Sequence, residues 1–347
     1  MTLPIIWKRR LHNAGGHPAS ALLADTQGLG ETTVKHCANR KIRSLHFIAA
    51  CAILLSLRMS KADDKIERGS VIPIGQKSAE HVGTPITVDT VTAGTSSRRT
   101  RKIALEEFPS NLMDSKSKLI AQDIFDNLSL YRRLPTIELE ADRRCYEYFT
   151  NHPDVAVSIW RAMEISQVEM SKKSKTIYET DTRDGTKGTV RVLLNTPEHY
   201  VVTCHGEFKS PAIKKPIQAI AMMHLKPQFN QSGKVTHQLD MYVSFPSSAV
   251  EALARFISPV SNRIADRNFE EISLFVEMMS VAMARQPGWI EQLTTKLDGI
   301  KPADSDELLK LTAAIYVDAV KAERTVSQKT VELEEILPPI QTAALPE

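Results

Sequence analysis

His205 and Glu207 lie two residues apart in the run His199 to Phe208, whose Val, Thr and Tyr content predicts a strand, so imidazole and carboxylate project from one face. Arg191, His224, His237 and Asp240 fall in neighbouring runs of the same kind. An imidazole, a carboxylate and a guanidinium converging on a pocket can do general acid and base work. His205, Glu207 and Arg191 would then be the catalytic set of a cofactor-free cyclase or hydrolase. The competing reading puts them on the wet face of a sheet. Asp240 favours it, because it shares a face with Gln238 and Ser244, and a non-catalytic domain is the first expectation.

Other chemistry is poorly represented. The chain has no GxSxG elbow, HExxH, GxGxxG or glycine-rich phosphate loop, and only 14 glycines in 347 residues, so no nucleotide or other cofactor is expected. Neither the histidines nor the four cysteines have the spacing of a metal site, and none is expected. Cys145 and Cys204 are read either as one bridge or, preferentially, as two buried thiols.

The apolar residues are more informative. Leu239, Met241, Val243 and Phe245 share one face of the last strand, while Gln238, Asp240, Tyr242 and Ser244 share the other, which predicts a sheet covered on one side and wet on the other. A helical stripe through Val250, Leu253, Ala254 and Ile257 is broken at Pro259. A second stripe, Ala265, Phe269, Ile272, Val276, Met279 and Met283, predicts a long amphipathic helix ended by Pro287-Gly288. Such stripes are core packing or the lining of a pocket, and the unbranched methionines Met222, Met223, Met241, Met278, Met279 and Met283 suit adaptable lining.

These residues must be positioned by the elements between them. Helices are expected over Leu112 to Arg133 and Glu140 to Thr150, then a break at Asn151-His152-Pro153-Asp154 and a third helix striped by Val155, Ile159 and Met163. Five strands follow between Thr176 and Phe245, and their close spacing allows only antiparallel neighbours. Two more helices are expected over Trp289 to Leu297 and Ser305 to Arg324. The fold class is α+β, an antiparallel sheet on a long C-terminal amphipathic helix with flanking helices.

The order of helix, break, helix, antiparallel strands and long helix, with YEYFTNHPDVAVSIWRAMEIS at Tyr146 to Ser166, resembles the helix-grip fold of START-like and polyketide-cyclase-like proteins over residues 138–286. The resemblance implies a first strand before the helices, for which Thr136 to Leu139 is the candidate. It also implies an apolar cavity between sheet and long helix that holds a lipid or another apolar small molecule. The ligand-facing residues would be Leu239, Met241, Val243 and Phe245 from the strand and Phe269, Ile272, Val276, Met279 and Met283 from the helix. A partner-binding module with a filled core is the remaining alternative.

Charge and the N-terminal text set the context. Residues 1–62 hold nine Lys and Arg against Asp25 and Glu31, which leaves about 35 basic and about 39 acidic residues beyond them. A chain without a basic stripe on its folded part is not expected to bind nucleic acid. Leu45 to Leu57, behind Arg40, Lys41 and Arg43, has the length of a signal-peptide core and is short of the roughly 20 residues of a membrane span. Export with cleavage after Ala62 is expected, with a true start near Val34. An uncleaved leader would instead tether the domain to the membrane. The expected division is a leader over 1–62, a flexible linker over 63–110, the α+β domain over 111–286, C-terminal helices over 287–326 and a loose tail over 327–347.

Overall fold

The computed structural model describes residues 87–209, 216–231 and 233–326; the expected leader and tail lie outside them. Among the described residues the strands are β1 Asp89–Thr92, β2 Leu130–Arg133, β3 Thr136–Glu140, β4 Glu169–Lys172, β5 Ile177–Asp181, β6 Thr186–Asn195, β7 Tyr200–Phe208, β8 Ile217–Phe229 and β9 Lys234–Ser244. The helices are α1 Arg98–Glu106, α2 Ser115–Asp126, α3 Arg143–Asn151, α4 Pro153–Ala162, α5 Ser248–Arg285, α6 Pro287–Thr294 and α7 Pro302–Val326.

All strands join one antiparallel sheet in the order β1-β3-β9-β8-β7-β6-β5-β4, and β2 also pairs with β9. The α+β class and the long C-terminal helix are as expected, and Thr136–Glu140 is the short strand before the paired helices. Pro153 sits at the first position of α4, where a missing N–H costs nothing, so the chain turns between α3 and α4 without losing a hydrogen bond. At the β5–β6 turn, Gly185 has φ +102 and an added Cβ would lie 2.2 Å from the Lys209 carbonyl oxygen, so only glycine fits.

The structure corrects four expectations. The linker expected over 63–110 does not reach residue 110, because Asp89–Thr92 is a strand and Arg98–Glu106 a helix. The run Thr95 to Lys102 carries no apolar period, but Ser97 caps the helix by accepting from the Thr100 amide at 3.1 Å, and the contact with the core is made one turn later by Ala104. The helix expected through Arg133 stops at Asp126. Leu130–Arg133 pairs with β9 instead, and tertiary pairing overrides the helical spacing of Leu128 and Tyr131. Pro259 does not break the long helix, which runs through it for 38 residues with the proline exposed.

The fourth correction concerns the wet face. β9 is buried on both sides from Leu239 to Ser244. One side faces α3, α4 and α5. On the other, α1, α2 and the segment between them cover the sheet, with Ala104, Phe108, Ala121 and Ile124 packed near Met222 and Tyr242. Phe108 meets Phe125, His224 and Tyr242 edge-on at ring separations of 4.8, 5.4 and 6.2 Å. The C-terminal helices α6 and α7 pack back on α5.

Candidate ligand-binding cavity

Between the sheet and α5 lies a cavity of about 180 Å³. Its walls follow from alternation along each strand. Val202 on β7, Met223 and Leu225 on β8 and Leu239 on β9 point to the same side, and register places Tyr200, Leu225 and Leu239 in one row across three strands. From α5, Phe269, Ile272, Phe275 and Val276 recur at helical spacing and close the opposite wall. The α3–α4 break supplies the end wall through Tyr146, Phe149, Pro153 and Trp160. Phe275 holds this end together, meeting Phe149 at 5.3 Å and Trp160 at 5.5 Å, both edge-on.

His237 and Tyr146 bring polar atoms to this apolar lining, and their hydrogen bonds fix the proton positions. Ser273 Oγ donates to the Phe269 carbonyl at 2.7 Å, so it accepts from His237 Nε2–H at 2.8 Å. His237 Nδ1 therefore carries no proton and accepts from the Tyr146 hydroxyl at 2.8 Å. Burial holds the His237 imidazole neutral, with its pKa pushed down to about 3, and its ring stacks on Phe269 at 4.6 Å. Thr150, also in the lining, donates its hydroxyl to the Tyr146 carbonyl at 2.9 Å. Protons on these three side chains are already committed, and burial pushes up the pKa of the Tyr200 phenol, which also lines the space and stays protonated, so the cavity offers shape, apolar surface and one phenol.

The residues expected to face a ligand divide. Leu239, Phe269, Ile272 and Val276 line the cavity. Met241 and Val243 line a separate cleft further along β9, while Phe245, Met279 and Met283 are buried and border neither space. Tyr146, Phe149, Trp160 and Phe275 line it although they lie outside the expected ligand-facing set, and His237, expected only as a polar candidate in a neighbouring strand, lines it too. Their aromatic clustering around the Asn151-His152-Pro153 break was a usable signal, whereas His237 was visible only as one of several scattered histidines.

His205, Glu207 and Arg191 do not meet at the cavity. They follow the alternation of Val201 and Thr203, which puts them on the face opposite Val202 and Cys204. His205 is exposed, and Glu207 is taken up by Lys209 Nζ at 2.7 Å and by Gln218 at 3.3 Å.

Asp240, expected in solvent, is fully buried on that opposite face. Its Oδ1 accepts from Tyr131 Oη at 2.7 Å and Arg133 Nε at 2.8 Å, and its Oδ2 from Arg133 at 2.9 Å and Lys226 Nζ at 2.9 Å. Burial opposes its charge, but these donors outweigh burial and hold Asp240 below the usual carboxylate range. The neighbouring His224 is pushed down to about 3 by burial, with Lys226 adding to the effect, and its Nε2 lies 3.0 Å from His199 Nδ1.

The fold also gathers His152, Asp304 and Glu307, which sequence spacing could not reveal because α7 supplies two of them. His152 lies 3.8 Å from Asp304 and 3.7 Å from Glu307, contacts that suit an imidazole set between two carboxylates. Cys145 and Cys204 are buried thiols.

No protein-family model and no curated protein matches the chain. Among solved structures, a conserved protein from Geobacillus kaustophilus is similar at 15% identity and TM-score 0.32, over 41% of this chain and 91% of that one. Ara h 8.0201 is similar at 8% identity and TM-score 0.23, over 38% and 94%. CalU16 from Micromonospora echinospora is similar at 12% identity and TM-score 0.26, over 54% and 89%. Likeness at this level says nothing about function.

Proposed function

We propose that this domain holds one small apolar molecule in the cavity between sheet and α5 and does no chemistry on it. The observation that carries the reading is a mainly apolar space of about 180 Å³ in which His237, Tyr146 and Thr150 have their protons committed to each other, to Ser273 or to the backbone, and in which burial keeps the Tyr200 phenol protonated. A dry apolar cavity of about 150 Å³ is enough to take benzene. Drug-sized ligands occupy roughly 300–1,000 Å³. The ligand is therefore a one- or two-ring aromatic or a short aliphatic molecule, and not a sterol or a two-chain lipid. Aromatic rings of Phe149, Trp160, Phe269 and Phe275 around the space favour an aromatic ligand.

The proposal includes export of the domain by the leader, supported by Arg40, Lys41 and Arg43 before the apolar run Leu45 to Leu57. Native mass spectrometry of the full chain, with organic extraction of the same sample, tests both parts. The expected result is a protein shortened after Ala62 that carries a single small apolar adduct recovered in the extract. A protein that remains unliganded after incubation with indole and naphthalene would overturn the binding reading, and an intact N-terminus would overturn export by cleavage.

A further inference from the structure

A second cleft, of about 300 Å³, lies between α1, β2, β9 and α5 and has a different chemistry. Its floor is apolar, made by Leu130, Met241 and Val243. Its rim carries three guanidinium groups. Arg98 and Arg101 stand three residues apart on α1 and so share one face, and Arg132 reaches in from β2. Arg132 is fixed by a two-pronged ion pair with Asp266, with Nε at 2.7 Å from Oδ1 and a second nitrogen bonded to Oδ2. Gly94 makes room for that pair, since a Cβ there would lie 2.7 Å from the Arg132 guanidinium and 2.9 Å from Asp266 Oδ1. Ser96 Oγ accepts from Arg132 and Asn262, both at 3.4 Å, which leaves its own proton to donate.

The charges do not balance. Asp266 neutralises Arg132, whereas Arg98 and Arg101 have no carboxylate partner among the described residues, so the cleft presents two uncompensated positive charges beside a fixed third guanidinium. Two charges in excess, hydroxyl and amide donors and an apolar floor fit a dianion carried on an apolar group. Guanidinium groups match the oxygens of a phosphate in pairs, which a lysine cluster would not do.

We propose that this cleft binds a phosphate monoester whose organic part rests on Leu130, Met241 and Val243. The ester comes either from a soluble metabolite or from an anionic lipid headgroup, and the experiment separates the two. Phenyl phosphate is titrated into the full chain labelled with ¹³C at its methionine methyl groups, with Met241 as the reporter and benzyl alcohol as the neutral control.

The expected result is a saturable shift of the Met241 methyl with a Kd of roughly 1 mM or tighter, weakened at least tenfold in the double variant Arg98→Gln, Arg101→Gln and absent with benzyl alcohol. The variant leaves Met241 where it is in the free protein, because both arginines lie at the exposed rim. Sedimentation with phosphatidylcholine vesicles containing phosphatidic acid is the second arm. Retention by those vesicles that the double variant loses assigns the lipid source, and a Met241 response without retention assigns the soluble one. An unmoved Met241 methyl together with no retention, or equal behaviour of variant and wild type, overturns the proposal. Cavity occupancy is read at other methionines and is independent of this outcome.

Discussion

Two histidines buried in opposite faces of the sheet make the stability of this domain depend on pH. His237 and His224 are both held neutral, each with a pKa of about 3, against about 6.5 in an unfolded chain. Above pH 6.5 they are neutral in both states and contribute no pH dependence. Below it the unfolded chain takes up protons that the folded one refuses, so stability falls as pH falls, by about 1.4 kcal/mol per unit for each histidine down to about pH 3. Asp154 and Glu277, raised by burial, work in the opposite sense near their own titration range. Comparing wild type with His237→Phe in urea at pH 7, 6 and 5 cancels those terms, and the variant should lose about 1.4 kcal/mol per unit of the pH dependence below 6.5. An unchanged slope would mean that His237 is protonated in the folded state. The strand face of Asp240 was legible in the sequence, but its burial was not. Gln238 and Ser244 signal solvent, whereas three donors brought in by the neighbouring strands β2 and β8, Tyr131, Arg133 and Lys226, make a buried carboxylate tenable.

At the scale of elements, period identified what packing alone decided and missed what pairing decided. α5 and the strands β5 to β9 follow the apolar spacing of Ile272, Val276 and Leu239 because each buries a continuous stripe. α1 fully buries only Ala104, with Leu105 partly packed beside it, and five of its nine residues are charged, so its sequence looks like a linker although it shields Tyr242, whose hydroxyl donates to the Ala104 carbonyl at 3.2 Å. β2 reads as the end of a helix because four residues are too few to show alternation. Removing residues 1–110, all of the supposed leader and linker, should therefore strip β1, α1 and Phe108 from the sheet and cost more than the about 3–5 kcal/mol of a single buried phenylalanine. Urea unfolding compares this truncation with one that begins at residue 63. Equal midpoints would show that the N-terminal elements only decorate the sheet, and a loss of cooperative unfolding in the shorter chain would show that they complete it.

Across the described domain, a sheet covered on both faces separates two chemistries. On the α1–α2 side the buried Asp240 is matched by Arg133 and Lys226, which the exposed Glu107 also approaches at 3.9 and 3.6 Å. On the α5 side the aromatic wall of the α3–α4 break keeps the sheet and helix from closing completely, and the cavity results. The position of that cavity was half legible. Leu239, Phe269, Ile272 and Val276 follow from the stripes, but where along them packing ends and space begins depends on Tyr146, Phe149 and Trp160, which come from a different part of the chain.

Methionine methyl groups give a direct reading of this arrangement, because Met170 and Met223 border the cavity while Met279 and Met283 are fully buried away from it. The decisive measurement is a titration of the ¹³C-methyl-methionine protein with indole, a neutral bicyclic probe. Saturable shifts at Met170 and Met223, with Met279 and Met283 unmoved, are the predicted result. Shifts of equal size at all four, or none at Met170 and Met223 up to the solubility limit of indole, would contradict a ligand-binding cavity in this domain.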